Sequence, residues 1–293
     1  MSRIGKYRTP SNDDIRNICE CARAYDMLLK GKSFLICYGA DPDGKMFTLS
    51  CRRKNFLHLV GVRSPRDQKA ARRIYNKALV DQLTPGDIGK NLSLEAEKKF
   101  SVFKDFQDFP FTASVISNPD LNRTLVSAEK WISGDKICFT LGAVCDSDKD
   151  PLNHLLVPAS LQSLSKSELN DKSIGDPVPI AAIFGKESDL FKFDKAIYIN
   201  PFTLDQSASL LIDAIDNYCV KCTLEKCNPD LISFLETYGL EPPASRMSID
   251  DIIANNTAVA EDINAINCDR NKRLNMKPLD IPSDEPLTID DLF

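Results

Sequence analysis

The stretch FTLSCRRKNFLHLVGVRSPRDQKAARRIYNKAL, starting at Phe47, holds one of only two histidines in the chain among nine cations. Histidine has the side chain whose ordinary pKa best suits proton transfer near neutral pH. Neighbouring cations lower that pKa and favour the neutral base. Gly61, three residues after His58, lets the backbone turn or approach a ligand closely. These residue types fit RNA cleavage without a metal. The 2′-hydroxyl attacks the adjacent phosphorus, a base removes its proton, and an acid protonates the leaving 5′-oxygen. His58 takes one of those two roles, with Arg53, Lys54 and Arg63 as candidates for neutralising charge on the phosphoryl oxygens. Arg52, Arg66, Lys69, Arg72, Arg73 and Lys77 are candidates for holding backbone phosphates. The plainer alternatives are a partly buried histidine bonded to backbone and a solvated basic helix face.

The other reactive residues fit known chemistry less well. His154 opens HLLVPASL, which reads as a strand running into a turn at Pro158, and Ser160 and Lys166 make no nucleophile arrangement with it. FGKES at Phe184 lacks the first glycine and the spacing of a phosphate-binding loop. Cys219, Cys222 and Cys227 in YCVKCTLEKC resemble part of a zinc site, but a structural zinc needs four ligands, and Cys268 is the only downstream candidate for the fourth. Unliganded cysteines at a helix end are the expectation, with a zinc-stabilised adaptor as the weaker alternative. Neither a metal nor a cofactor is called for.

The elements that must position His58 can be traced along the chain. Ser11 with Asp14 three residues on reads as a capped helix start, and Ile15, Ile18, Ala22, Tyr25 and Leu29 follow on one face up to Gly31. SFLICYG and MFTLSCR, joined by ADPDGK, predict a β-hairpin whose second strand delivers Arg52, Arg53 and Lys54. A helix is expected after Pro65 with Ala70, Ile74, Tyr75 and Ala78 on its apolar side, and another over LSLEAEKKFSVFKDFQDF with Leu94, Phe100, Phe103 and Phe106 buried. Strands are expected at TLVSAEKW, KICFTLGAVC, HLLVPASL, VPIAAIF and KAIYI, then a helix over TLDQSASLLIDAIDNYCVK. With no regular β–α–β alternation, the predicted class is α+β, a mainly antiparallel sheet with an N-terminal helix and inserted helices. The expected domains are an α+β body over 1–227, a helical extension over 228–275 and a disordered acidic tail over 276–293.

Composition is that of a globular protein, 43% hydrophobic and 27% charged. Its charge is unevenly spread. From Arg52 to Asp81 nine cations face two aspartates, a formal +7, so the remainder carries −12 of a net −5. That balance argues against nucleic-acid binding by the whole surface and raises the expectation that the acidic tail masks the basic stripe. No apolar run approaches the roughly 20 residues that span a bilayer. The N-terminus has cations without a following apolar core, so a secretory signal is not expected. The ten scattered cysteines read as reduced thiols, and the expected location is the cytoplasm.

At FTLSCRRKNFLHLVGV, with AYDMLLKGKSFLICYG upstream and HLLVPASL downstream, the chain resembles a phage-associated nuclease family of the barnase–EndoU–colicin–RelE (BECR) group. The resemblance covers residues 15 to 200, and Asn55-Phe56-Leu57-His58-Leu59-Val60-Gly61 is its most specific part. It implies an α+β fold and metal-independent RNA cleavage by a toxin or conflict protein of phages and mobile elements. Of the site residues, it carries over His58. RNA would be the substrate, and a toxin would have an antitoxin or immunity protein as partner; no membrane partner is implied. The alternative is an inactive phage or mobile-element protein that binds nucleic acid or a host nucleoprotein through the basic stripe.

Overall fold

Strand and helix are assigned by local chemistry that the sequence carries openly. The computed structural model describes residues 7–65, 67–106, 109–124, 128–134, 139–146, 155–187 and 190–220, together with Ser233 and Thr237. After strand β1 (Tyr7–Arg8), helix α1 runs over Asn12–Leu28. The Ser11 hydroxyl accepts the Asp14 amide, and the Asp14 carboxylate accepts the Ser11 amide at 2.7 Å, satisfying two donors that a helix start leaves open. Ile15, Ile18, Ala22, Tyr25 and Leu29 are all buried. The predicted hairpin is present as β2 (Lys32–Tyr38) and β3 (Lys45–Cys51) in continuous register. β2 is apolar on both faces because both are covered. Phe34, Ile36 and Tyr38 join the main core with α1, while Leu35 and Cys37 pack with Leu211 and Ile215 of a helix over Ala208–Tyr218.

A short 3₁₀ turn (Arg53–Asn55) leads into α2 (Phe56–Leu59), followed by α3 (Gln68–Leu79), α4 (Pro85–Ile88) and β4 (Leu92–Ser93). α3 starts three residues later than Pro65, because the Asp67 carboxylate caps it by accepting the Lys69 amide at 2.9 Å. α5 (Ala96–Phe106) buries Phe100, Phe103 and Phe106 as expected, but Leu94 precedes the helix and is exposed. Then come α6 (Phe109–Thr112), β5 (Ala113–Pro119), β6 (Lys130–Gly134), β7 (Thr140–Cys145), β8 (Leu155–Gln162), α7 (Lys166–Asp171), β9 (Ser173–Glu187), β10 (Lys195–Ile199) and α8 (Ala208–Tyr218).

The α+β class stands, and its strands pair antiparallel except for β3 with β8, but the sheet is not simply an antiparallel one. It closes into a seven-stranded mixed barrel in the order β9-β2-β3-β8-β7-β6-β5, with β10 on the outside of β9. Two features hidden from local sequence cause this. β3 and β8 pair in parallel, through Thr48 with Leu155 and Leu49 with Leu156. The long β9 pairs with β5 through its first half and with β2 through its second, and this closes the ring and removes two sheet edges.

The described residues all fall within one compact unit of the chain. The expected extension (228–275) and tail (276–293) lie outside the described residues apart from Ser233 and Thr237, and so does the proposed masking by the tail. No helix among the described residues is long and apolar enough to cross a membrane.

Candidate active site

The phrase Asn55–Gly61 is built almost wholly from residues that hold it in place. The Asn55 side chain is buried and its oxygen accepts the Arg52 amide at 3.0 Å, tying the end of β3 to the turn before α2. Phe56 is fully buried among Tyr25, Tyr75 and Phe103, with ring centroids 5.6, 5.1 and 6.2 Å away. The Tyr25 hydroxyl donates to the Arg52 carbonyl at 2.9 Å, so α1 also fixes this turn. Leu57, Leu59 and Val60 are buried. His58 alone in this run is exposed. Four residues of helix, pinned on its inner side by aromatic packing, thus present one imidazole outward.

The group beside His58 comes from another element. Lys99 on α5 donates from Nζ to the His58 carbonyl at 3.3 Å. The protein mass around His58, and then the Lys99 ammonium, hold the imidazole pKa below its ordinary value. At neutral pH His58 is therefore a neutral base next to a cation. Burial also lowers the pKa of Lys99, with Glu95 opposing. Gly61 makes this closeness possible. Its φ is +78°, and a Cβ there would meet Lys99 Cδ at 3.1 Å and Ser93 Cβ at 3.3 Å.

The predicted cations are divided among several partners. Arg52 is ion-paired with Asp146, which follows β7 and is 4% exposed, and Lys54 Nζ lies 3.6 Å from the other oxygen of the same carboxylate. Arg53 turns inward, its guanidinium 5.8 Å from the Tyr75 ring centroid and its buried Nε without a hydrogen-bond partner. The Arg63 guanidinium lies over the Tyr7 ring, 5.8 Å from its centroid. Lys77 pairs with Asp87 at 2.6 Å, and that bond holds the Asp87 carboxyl below its usual range. Lys69, Arg72 and Arg73 are exposed on α3 and, with Asn76 and Lys77, line a shallow open depression. Arg66 and His154 lie outside the described residues, as do Cys222 and Cys227. Cys219 is buried, which pushes its thiol up to about 12. Among the described residues no group of three or more His, Cys, Asp and Glu side chains could hold a metal ion.

Two participants had no signal of their own in the sequence. Lys99 is one of several lysines in an amphipathic helix, and only the close approach that Gly61 permits brings it to His58. Asp146 is the first of three aspartates that follow an apolar strand, and its pairing with Arg52 depends on the path of the barrel.

No curated protein and no solved structure matches the chain. A family model described as phage-Barnase-EndoU-ColicinE5/D-RelE like nuclease 4 matches residues 17–197, from α1 into β10, a span that includes His58, Lys99 and Asp146. The match covers more than half of the chain, which belongs to this nuclease-like family.

Proposed function

We propose that the protein is a metal-independent endoribonuclease with His58 as its proton-transfer group. The observation that carries this reading is the exposed imidazole on an otherwise buried helical turn, with Lys99 bonded to the same residue's carbonyl. His58 takes the proton of the RNA 2′-hydroxyl as its oxygen bonds to phosphorus. The bond from phosphorus to the 5′-oxygen breaks, giving a 2′,3′-cyclic phosphate and a free 5′-hydroxyl. Lys99 neutralises charge gathering on the phosphoryl oxygens and, with its lowered pKa, supplies the proton to the leaving oxygen. Lys69, Arg72 and Arg73 hold phosphates farther along the strand. Arg53, Lys54 and Arg63 belong to the shell around this centre, Arg53 and Lys54 by way of Tyr75 and Asp146. A toxin or conflict protein of this kind acts on cellular RNA and is held in check by an antitoxin or immunity protein.

The deciding experiment incubates the purified protein with total RNA in EDTA beside a His58→Ala variant. Cleavage that survives EDTA, leaves cyclic phosphate ends and disappears in the variant is the expected result. Intact RNA with both proteins sinks the enzymatic reading. The second reading, a binding module without activity, is favoured by the exposed cations along α3. It requires binding that is unaffected by His58→Ala and abolished by reversing the charge of Arg72 and Arg73.

A further inference from the structure

The segment after Gly61 pairs with β4, which in turn pairs with β1. Val62 bridges Leu92, the Arg63 amide donates to the Asn91 carbonyl at 2.8 Å, and the Ser93 amide donates to the Gly61 carbonyl at 2.9 Å. Ser93 is directly opposite Tyr7. Residues directly opposite in an antiparallel pair share a face, so Tyr7 and Ser93 project to the same side. The Ser93 Cβ lies 3.3 Å from where a Gly61 Cβ would be, which puts Gly61 on that side too, with Lys99 Cδ at 3.1 Å. Arg63, two residues beyond Gly61, covers Tyr7 from that side. Tyr7, Arg63 and Ser93 therefore share one face, where Lys99 packs over the buried Gly61 and reaches the His58 carbonyl.

We infer that Tyr7 and Arg63 form a stacking platform for one unpaired nucleobase of a single-stranded nucleic acid, adjoining the His58–Lys99 centre. Tyr7 is 38% exposed and Arg63 is exposed, an unusual arrangement for an aromatic ring that serves only to fill a core. A flat guanidinium and a phenol ring both offer a π-face to a base, whatever its identity. Lys99 packs over Gly61 and reaches the His58 carbonyl, so its side chain joins the platform to the His58 turn. A base stacked within a duplex cannot reach such a platform, so the preferred substrate has an unpaired nucleotide at this point. The platform rests on the ribonuclease reading for its position next to the reacting phosphate, but base stacking can be measured without cleavage.

The test uses the full chain and short single-stranded 2′-O-methyl oligonucleotides, which lack the attacking hydroxyl, with 2-aminopurine at one position. Binding is followed by anisotropy, and stacking by quenching of 2-aminopurine fluorescence. Wild type is expected to bind and quench. Tyr7→Leu, which keeps apolar bulk but has no ring, should weaken binding roughly 5- to 100-fold and lose the quenching, and Tyr7→Phe should restore both. Arg63→Lys retains the charge without the plane and should also lose quenching. Matched duplex should compete poorly. If Tyr7→Leu binds and quenches as wild type does while wild type cleaves RNA, the platform is overturned and the nuclease reading survives. Quenching that depends on Tyr7 in a protein that leaves RNA intact supports the platform and removes the nuclease reading. Failure of wild type to bind any single strand overturns the platform outright.

Discussion

His58 draws its meaning from what its neighbours do not do. Asn55, Phe56, Leu57 and Leu59 are all consumed by packing or backbone bonding, and His58 is the side chain of this turn that stays exposed. Surrounding protein and Lys99 both lower its pKa, so the base form persists below the ordinary histidine value of about 6.5. On lowering the pH, activity should fall only as the imidazole protonates, with the acid limb of kcat/KM centred below that value. Lys99→Gln removes the nearby charge and leaves the burial, so the limb should move upward while kcat drops by roughly 100-fold or more. A pH–rate profile of the two proteins checks both parts. An unshifted limb would show that Lys99 does not act on His58. His58 was legible in the sequence because histidine is rare here and its cations are dense. Lys99 was not, because contact between α2 and α5 is a property of the folded chain.

The elements that carry the site are fixed by caps and close approaches whose strength can be measured. At the start of α1, Asp14 accepts from the Ser11 amide and hydroxyl at 2.7 and 2.8 Å and from Arg8 Nη2 at 2.9 Å. Asp14→Ala removes the carboxylate half of the capping box and leaves Arg8 without this partner, and should cost about 2 kcal/mol in urea unfolding. The hydrogen bond from Arg8, more than the other groups, holds the Asp14 carboxyl below its usual range. Its contribution is therefore complete above the ordinary aspartate pKa and is lost as the pH falls through the lowered value. The difference between wild type and Asp14→Ala should shrink in acid. Gly61→Ala forces a side chain onto a backbone with φ of +78° and against Lys99 and Ser93. It should cost about 1–2 kcal/mol and lower kcat by displacing Lys99, as paired stability and rate measurements would reveal. Ser11, Asp14 and the apolar face of α1 were readable from spacing alone. The start of α3 was not, because Asp67 outcompetes Pro65 for the position before the first turn.

Across the whole molecule, the basic stripe is less available than its count of charges implies. Arg52 and Lys54 share Asp146, Lys77 is paired with Asp87, and Arg53 is turned towards Tyr75. Nine phosphate contacts on a single strand would give a log affinity–log salt slope of about −6, whereas three to five give about −2 to −4. The shallower slope is expected, carried by Lys69, Arg72 and Arg73 with the cations beside His58. Reversing Arg72 and Arg73 to glutamate should weaken RNA binding and flatten the slope further, while the pH profile of any residual cleavage stays in place. A salt titration with wild type and variant checks this, and a slope near −6 would mean that the internal ion pairs open on binding.

The sequence alone determined the α+β class, the capped first helix, the hairpin that ends in Arg52–Lys54, and His58 as the residue to examine. Each depends on neighbours a few residues away, where periodicity, caps and turn chemistry act. The tertiary structure decided the closure of the barrel through β9 and the parallel pairing of β3 with β8. It also decided the burial of Asp146 against Arg52, the approach of Lys99 to His58 and the placing of Arg63 over Tyr7. The physical reason is the same in every case. These contacts join residues far apart in the chain, and their energies depend on where the strands and helices pack, which no short window of sequence specifies.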